Sequence, residues 1–146
     1  TNGGVGIVAF SNYLRKSPPE QGAAFRVIMG EYGTTNLAQI TANFPPEKVE
    51  KFKSDFAAYE EEFPPASVAQ YVSSIEYAVD LLGIGYVFIS SDMEHGGGVR
   101  GWKDASEAFG VTEELASRGY SEDQIAKLWW GNFARIWRAV EAAAEG

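Results

Sequence analysis

Apolar residues recur along this chain with two different spacings. Val5-Gly6-Ile7-Val8-Ala9-Phe10 and Tyr86-Val87-Phe88-Ile89-Ser90 are short, nearly continuous apolar runs, rich in β-branched and aromatic residues. Runs of this kind read as strands buried on both faces, as in a parallel sheet. Between them the spacing lengthens to three and four. Val49, Phe52, Phe56, Tyr59 and Phe63 form one helical stripe, opened by Phe44-Pro45-Pro46-Glu47 and stopped by Pro64-Pro65. Val68, Val72, Ile75, Val79 and Leu82 form a second, from Ser67 to Gly83. The stretch from Ser11 to Asn43 is mixed, broken by Pro18-Pro19, with room for a short helix over Gly22 to Met29.

The second strand runs into Ser91-Asp92-Met93-Glu94-His95-Gly96-Gly97-Gly98, a polar, glycine-rich loop. Thr112 to Arg118 is expected to be a short helix. Ser121-Glu122-Asp123-Gln124 has the form of a capping box. Ile125, Leu128, Trp129, Phe133, Ile136, Trp137 and Val140 supply the buried side of the last helices. The order is therefore strand, long helical excursion, strand, loop, helices. Two parallel strands joined through helices make one crossover. Such a pair alone leaves both sheet edges open, so the pattern points to part of a larger α/β sheet or barrel without saying which. The opening Thr1-Asn2-Gly3-Gly4 has neither a Met nor the basic start of a signal peptide and leads straight into a strand. The chain is accordingly expected to be part of something longer.

Composition narrows the chemistry. The chain has 146 residues, 45% hydrophobic and 14% aromatic, enough for a core. Its formal net charge of −8 disfavours nucleic acid and anionic membrane surfaces as partners. The absence of cysteine excludes disulfides, thiolate nucleophiles and Cys-based zinc sites. It leaves the cellular compartment open. No apolar run approaches the length that spans a bilayer.

Five segments carry a family resemblance. Tyr77-Ala78-Val79-Asp80-Leu81-Leu82-Gly83-Ile84 with Val87-Phe88-Ile89-Ser90-Ser91-Asp92 resembles the approach to the last barrel strand of the membrane (renal) dipeptidases, which ends in a Gly-Ser-Asp-Phe-Asp-Gly type motif. Gly97-Gly98-Val99-Arg100-Gly101-Trp102-Lys103-Asp104-Ala105-Ser106 resembles the loop after it. Thr112-Glu113-Glu114-Leu115, with Arg118-Gly119-Tyr120-Ser121-Glu122-Asp123-Gln124-Ile125, resembles the next helical stretch. Gly131-Asn132-Phe133-Ala134-Arg135-Ile136-Trp137-Arg138 is similar to the family's Gly-Asn-Phe-x-Arg-Val ending. Thr1 to Phe10 is similar to the preceding strand. The likeness is most specific from Tyr77 to Val140 and loose from Tyr32 to Glu62.

The resemblance implies an α/β fold, the C-terminal part of a (β/α)8 TIM barrel: its last two strands and their helices. Residues 1–146 would then be one segment of a single dipeptidase barrel domain. It implies hydrolysis of dipeptides by water activated between two zinc ions. The zinc ligands, a His-x-Asp pair, a bridging Glu and two later His, would all precede Thr1. The chain alone would hold no metal ligand and would be inactive without the N-terminal portion of the barrel. The resemblance further implies a homodimer of the complete enzyme.

Asp92 is the one position matching the family's chemistry. The resemblance gives it the catalytic role of handling the proton that moves during peptide cleavage, and it stands where a buried strand meets a loop. The plainer reading is an Asp that turns the loop or caps a helix. Tyr13, just past the first strand, and His95, the only histidine, are candidates for substrate binding. A lone loop histidine is more often simply solvated, and one His makes no zinc site. Gly96-Gly97-Gly98 reads as an anion-binding nest or, more simply, as a mobile loop. Asn132 reads as an organiser of backbone between helices, and Trp129, Trp130 and Trp137 as packing. Phe88 and Ser90 stand where relatives often carry glycine, and Met93-Glu94 replaces Phe-Asp. Phe88 therefore either narrows the site or points at the helices. Two alternative functions remain open at this level: a non-catalytic protein-interaction module using the aromatic faces, and another amidohydrolase-like metal-dependent hydrolase.

Overall fold

Two strands, β1 (Val5–Val8) and β2 (Val87–Ser90), pair in parallel with Val5 opposite Val87 and Val8 opposite Ser90. The computed structural model describes residues 3–93 and 96–144. Helix surrounds the sheet on the chain: α1 (Ser11–Leu14), α2 (Pro19–Tyr32), α3 (Leu37–Asn43), α4 (Pro46–Glu62), α5 (Val68–Leu82), α6 (Ala108–Ser117), α7 (Glu122–Ala126) and α8 (Asn132–Ala144). The protein is thus a mostly helical α/β structure. It divides into two compact units, Thr1–Arg15 with Ala66–Gly146, and Lys16–Pro65.

In the first unit the strands alternate as the pleat requires. Val87, fully buried, and the half-buried Ile7 and Ile89 join a core with Tyr71, Val72 and Ile75 of α5 and Val111 and Leu115 of α6. Gly4, Gly6 and Val8 of the first segment and Phe88 and Ser90 of the second take the alternate positions. Close approach favours glycine at Gly4 and Gly6. A Cβ on Gly6 would lie 2.7 Å from Phe88 Cε2, and one on Gly4 would lie 2.7 Å from Ile136 Cδ1.

Ser67 starts α5 with a capping box in which it and Gln70 satisfy each other's free N–H groups. The buried stripe of α5 is Tyr71, Val72, Ile75 and Ala78. It is rotated from the expected one, because Tyr71 goes inward while Leu82 is exposed. The cause is the Tyr71 hydroxyl, which donates to the Ile7 carbonyl (2.7 Å) and accepts from the Ser90 N–H (3.3 Å). One phenol thus ties α5 to both strands. Burial raises its pKa above the usual tyrosine range.

The C-terminal helices close the same core. α6 begins at Ala108, earlier than the apolar pattern indicates, after a 3₁₀ turn at Ala105–Glu107 capped by Asp104. Ser121 heads α7 with the expected capping box. A π turn over Lys127–Gly131 joins α7 to α8 and directs Leu128 into the core. Asn132 follows it, buried, and donates to the carbonyls of Ile84 and Val87, both at 2.7 Å. It organises backbone as expected, but the backbone is the entry to β2 and not a helix pair. Arg118 binds Glu114 (2.6 Å) and Glu76, as well as the Ala69 carbonyl, which fastens the end of α6 to α5. Trp129 packs edge-on to Trp102 and donates to Thr112, whereas Trp130 and Trp137 are largely exposed.

The second unit is helical. α2 extends well beyond the expected Gly22 to Met29, from Pro19 to the left-handed Gly33, and α3, hidden in the mixed stretch, is capped by Asn36. Their core is Ile28, Tyr32, Ile40, Val49 and Phe52, edged by Phe44, Phe56 and Tyr59. The predicted α4 stripe is confirmed in this cluster. Lys51 and Tyr32 converge on Asp55, at 2.6 and 2.9 Å.

Candidate active site

Parallel strands put both C-terminal ends on one side of the sheet, and the segments that follow them carry the candidate residues. β1 leads through Ala9 and Phe10 into α1, where Tyr13 stands four-fifths exposed with its ring 5.4 Å from that of Phe10. β2 leads through Ser91 to Asp92, which is exposed and has φ 55°. This left-handed conformation suits Asp better than most side-chain-bearing residues.

The turn at Asp92 is held by backbone. The Gly97 N–H donates to the Asp92 carbonyl (2.9 Å), and the Gly98 N–H donates to the Ala9 carbonyl (2.7 Å) across the end of β1. The Arg100 N–H then donates to Ala66, and the Val68 N–H to Arg100, which carries the loop to the start of α5. A Cβ on Gly97 would stand 2.0 Å from the Ser91 carbonyl oxygen, so no other residue fits the turn. Gly98 adopts φ 123°, again open only to glycine. The glycine run is therefore a folding requirement of a tight, pinned turn. Met93, one residue on, packs against the core. Asp92 is a carboxylate on a fixed corner.

Tyr13 and Asp92 thus share one end of the sheet. His95, together with Glu94, lies outside the described residues. Among the described residues, no group of three or more His, Asp or Glu side chains comes together in a way that could hold a metal ion. The donors here do not fit a metal centre on their own. No described helix is long and apolar enough to cross a membrane.

Sequence reasoning did not find Tyr71, and it read Gly97 only as part of an anion-binding nest or a mobile loop. Tyr71 had a signal, since it falls three and four residues from Val68 and Ile75 on the buried stripe. The constraint at Gly97 had no signal in the sequence, because it depends on where the Ser91 carbonyl points.

The comparisons with known proteins agree with this frame. Residues 1–146 match the membrane dipeptidase family, peptidase family M19. The crystal structure of the probable dipeptidase PvdM from Pseudomonas aeruginosa is similar at 36% sequence identity and a TM-score of 0.65. The match covers 93% of this chain but only 36% of that one, so the chain spans about a third of the length of that relative. The chain belongs to the membrane dipeptidase family.

Proposed function

We propose that these residues form the last two strands, with their helices, of a (β/α)8 barrel that hydrolyses the peptide bond of dipeptides, and that Asp92 is its proton-handling carboxylate. The observation that carries this reading is the placement of Asp92: an exposed acid in a left-handed backbone conformation, directly past the C-terminal end of a parallel strand. Barrel enzymes build their sites from that end. Family membership supports the substrate class. The share of the relative left uncovered supports a larger whole. The metal that the family resemblance implies, two zinc ions, would take its ligands from residues beyond this chain.

The chemistry asked of this chain is modest. Cleavage of a peptide bond leaves an amine that must gain a proton, while the attacking water must lose one. A carboxylate beside the reacting atoms accepts the proton that the water loses and delivers it to the leaving nitrogen. The pinned backbone of the Asp92 turn spares it reorganisation at each turnover. Tyr13, at the same end of the sheet, offers an aromatic wall and a hydroxyl to the substrate. We extend the substrate-binding assignment to His95 on its place in the same loop. The complete enzyme is expected to be a homodimer.

The test is Asp92→Asn in the complete enzyme, with dipeptide hydrolysis and zinc content measured together. Asn keeps the size, tolerates the left-handed turn and removes the basicity. The expected result is a fall in kcat of roughly a hundredfold or more at unchanged metal content, the scale of a lost general acid–base group. His95→Ala is expected to cost far less. Nearly full activity in Asp92→Asn would overturn the assignment.

A further inference from the structure

We propose that α8 closes the end of the barrel opposite Asp92, and that its bare apolar face at Trp137 and Val140 is the seat of the strands that extend the sheet beyond β1, supplied by the part of the same protein that precedes residue 1; the inference rests on the barrel proposed above. The starting observation is the path of the helix. Phe133 sets its ring against Phe88 of β2, with centroids 5.6 Å apart and planes at 64°. One turn on, Ile136 reaches the foot of β1, where a Cβ on Gly4 would meet its Cδ1 at 2.7 Å. Two side chains fasten this path to the entry of β2. Asn132 donates to the Val87 carbonyl (2.7 Å) and Arg135 to that of Gly85 (2.9 Å). Val87, Ile89 and Ile7 turn into the core that α5 backs. α8 thus crosses the opposite face of the sheet, from β2 towards β1, at the N-terminal ends of both strands.

The helix does not stop where the sheet does. It continues from Ile136 to Ala144, about 12 Å at the usual rise. Neighbouring strands lie about 4.8 Å apart, so the continuation is long enough to cover two more beyond β1. Its underside is apolar. Trp137 and Val140 follow Phe133 at steps of four and three, on the face that has just met the sheet. The Trp137 ring lies 5.8 Å from that of Phe133, yet Trp137 is 57% exposed and Val140 64%. The strand edge beside them is equally unfinished. Ala9 donates its N–H to the Ser90 carbonyl, and the alternation of a parallel ladder then turns the N–H and C=O of Gly6 and Val8 away from β2. At the foot of β1, Gly3, Gly4, Val5, Leu82 and Tyr86 line an open cavity of about 320 Å³. The edge and the helix face ask for the same occupant: strands whose backbone pairs with β1 and whose apolar side chains fill the space against α8. The match covers only 36% of the related probable dipeptidase, and a protein of that length has the chain to supply them.

Hydroxyl-radical footprinting of the complete wild-type enzyme, mapped by mass spectrometry, reads the oxidation of Trp137 in the folded and the urea-unfolded protein, with the buried Trp102 as internal reference. The expected result is that folding slows oxidation of Trp137 as much as that of Trp102. A benzophenone amino acid placed at position 137 then identifies the occupant. Its crosslinks are expected within one chain, at monomer mass, to residues that precede residue 1. Trp137 as reactive in the folded protein as in the unfolded one overturns the inference, and so do crosslinks to a second copy or to a different protein. Where the benzophenone variant does not fold, the wild-type footprint carries the test alone, taken at a concentration where sedimentation shows monomer: protection that persists there supports the inference, and protection lost there assigns the face to a second copy and overturns it. Dipeptide hydrolysis and zinc content are measured on the same preparation. An active enzyme with an unprotected Trp137 overturns this inference alone. A zinc-loaded enzyme inactive on every dipeptide overturns the catalytic reading, whatever the state of Trp137.

Discussion

Tyr71 and Trp102 are neighbouring rings, 5.4 Å apart in one core, with opposite polar fates. The Tyr71 hydroxyl has partners on both strands. The Trp102 indole N–H is buried with no partner among the described residues. Removing a satisfied group strands its partners, whereas removing an unsatisfied one strands nothing. Tyr71→Phe is therefore expected to cost about 1–3 kcal/mol, because it leaves the Ile7 carbonyl and the Ser90 N–H short of a bond. Trp102→Phe loses ring volume but also an unpaired donor, and is expected to stay within about 1.5 kcal/mol of wild type. Chemical denaturation of the complete protein checks both. If Trp102→Phe proves the more damaging of the two, the hydroxyl is not what ties α5 to the strands.

At the scale of elements, the sequence conveyed most where a pattern was local. The stripe of α4, the start of α5 near Ser67, the capping box at Ser121 and the two strands are all legible, because each depends on residues a few positions apart. α3 was not legible, since seven residues around one buried Ile40 make no stripe. Neither was the π turn before Asn132, which is set by the need to bring that side chain to Ile84 and Val87. The site divides the same way. Asp92 was identified by its motif, but its left-handed turn depends on Gly97, whose constraint exists only in three dimensions. The α2–α4 pairing yields a pH prediction. Lys51, and after it the Tyr32 hydroxyl, hold the Asp55 carboxyl below its usual range. A depressed acid stabilises the fold fully above its unfolded pKa, near 4, and loses that contribution as pH falls through the lower folded value. Wild type is therefore expected to lose more Tm than Asp55→Asn between pH 6 and pH 2.5. An equal loss in the two would mean that the exposed pair contributes nothing measurable.

For the whole molecule, the governing fact among the described residues is a sheet of two strands. Asn132 covers the Val87 carbonyl, but a pair this narrow depends on neighbours for its remaining backbone bonds. The proposed barrel would supply them. Residues 1–146 expressed alone are therefore expected to exchange their β1 and β2 amide hydrogens quickly and to aggregate readily, while the same amides in the complete enzyme exchange slowly. Hydrogen exchange followed by mass spectrometry distinguishes the cases. Strong protection of both strands in the isolated chain would mean that this sheet needs no further strands.

The Ser11 hydroxyl accepts the Ala66 N–H at 2.6 Å, and this bond has a meaning for how the family can change. It closes the chain on itself at the base of the excursion, so the first unit leaves at Arg15 and resumes at Ala66 with its own ends already joined. What lies between is, to that unit, a loop. Loop closure depends only weakly on length, so exchanging the ~50 residues from Lys16 to Pro65 for about six would alter the closure entropy by only about 2 kcal/mol. Insertions and deletions can accumulate there while the backbone bonds that hold the Asp92 turn, all within the first unit, stay the same. The stretch over Tyr32 to Glu62, where the family likeness is loosest, lies inside that replaceable segment.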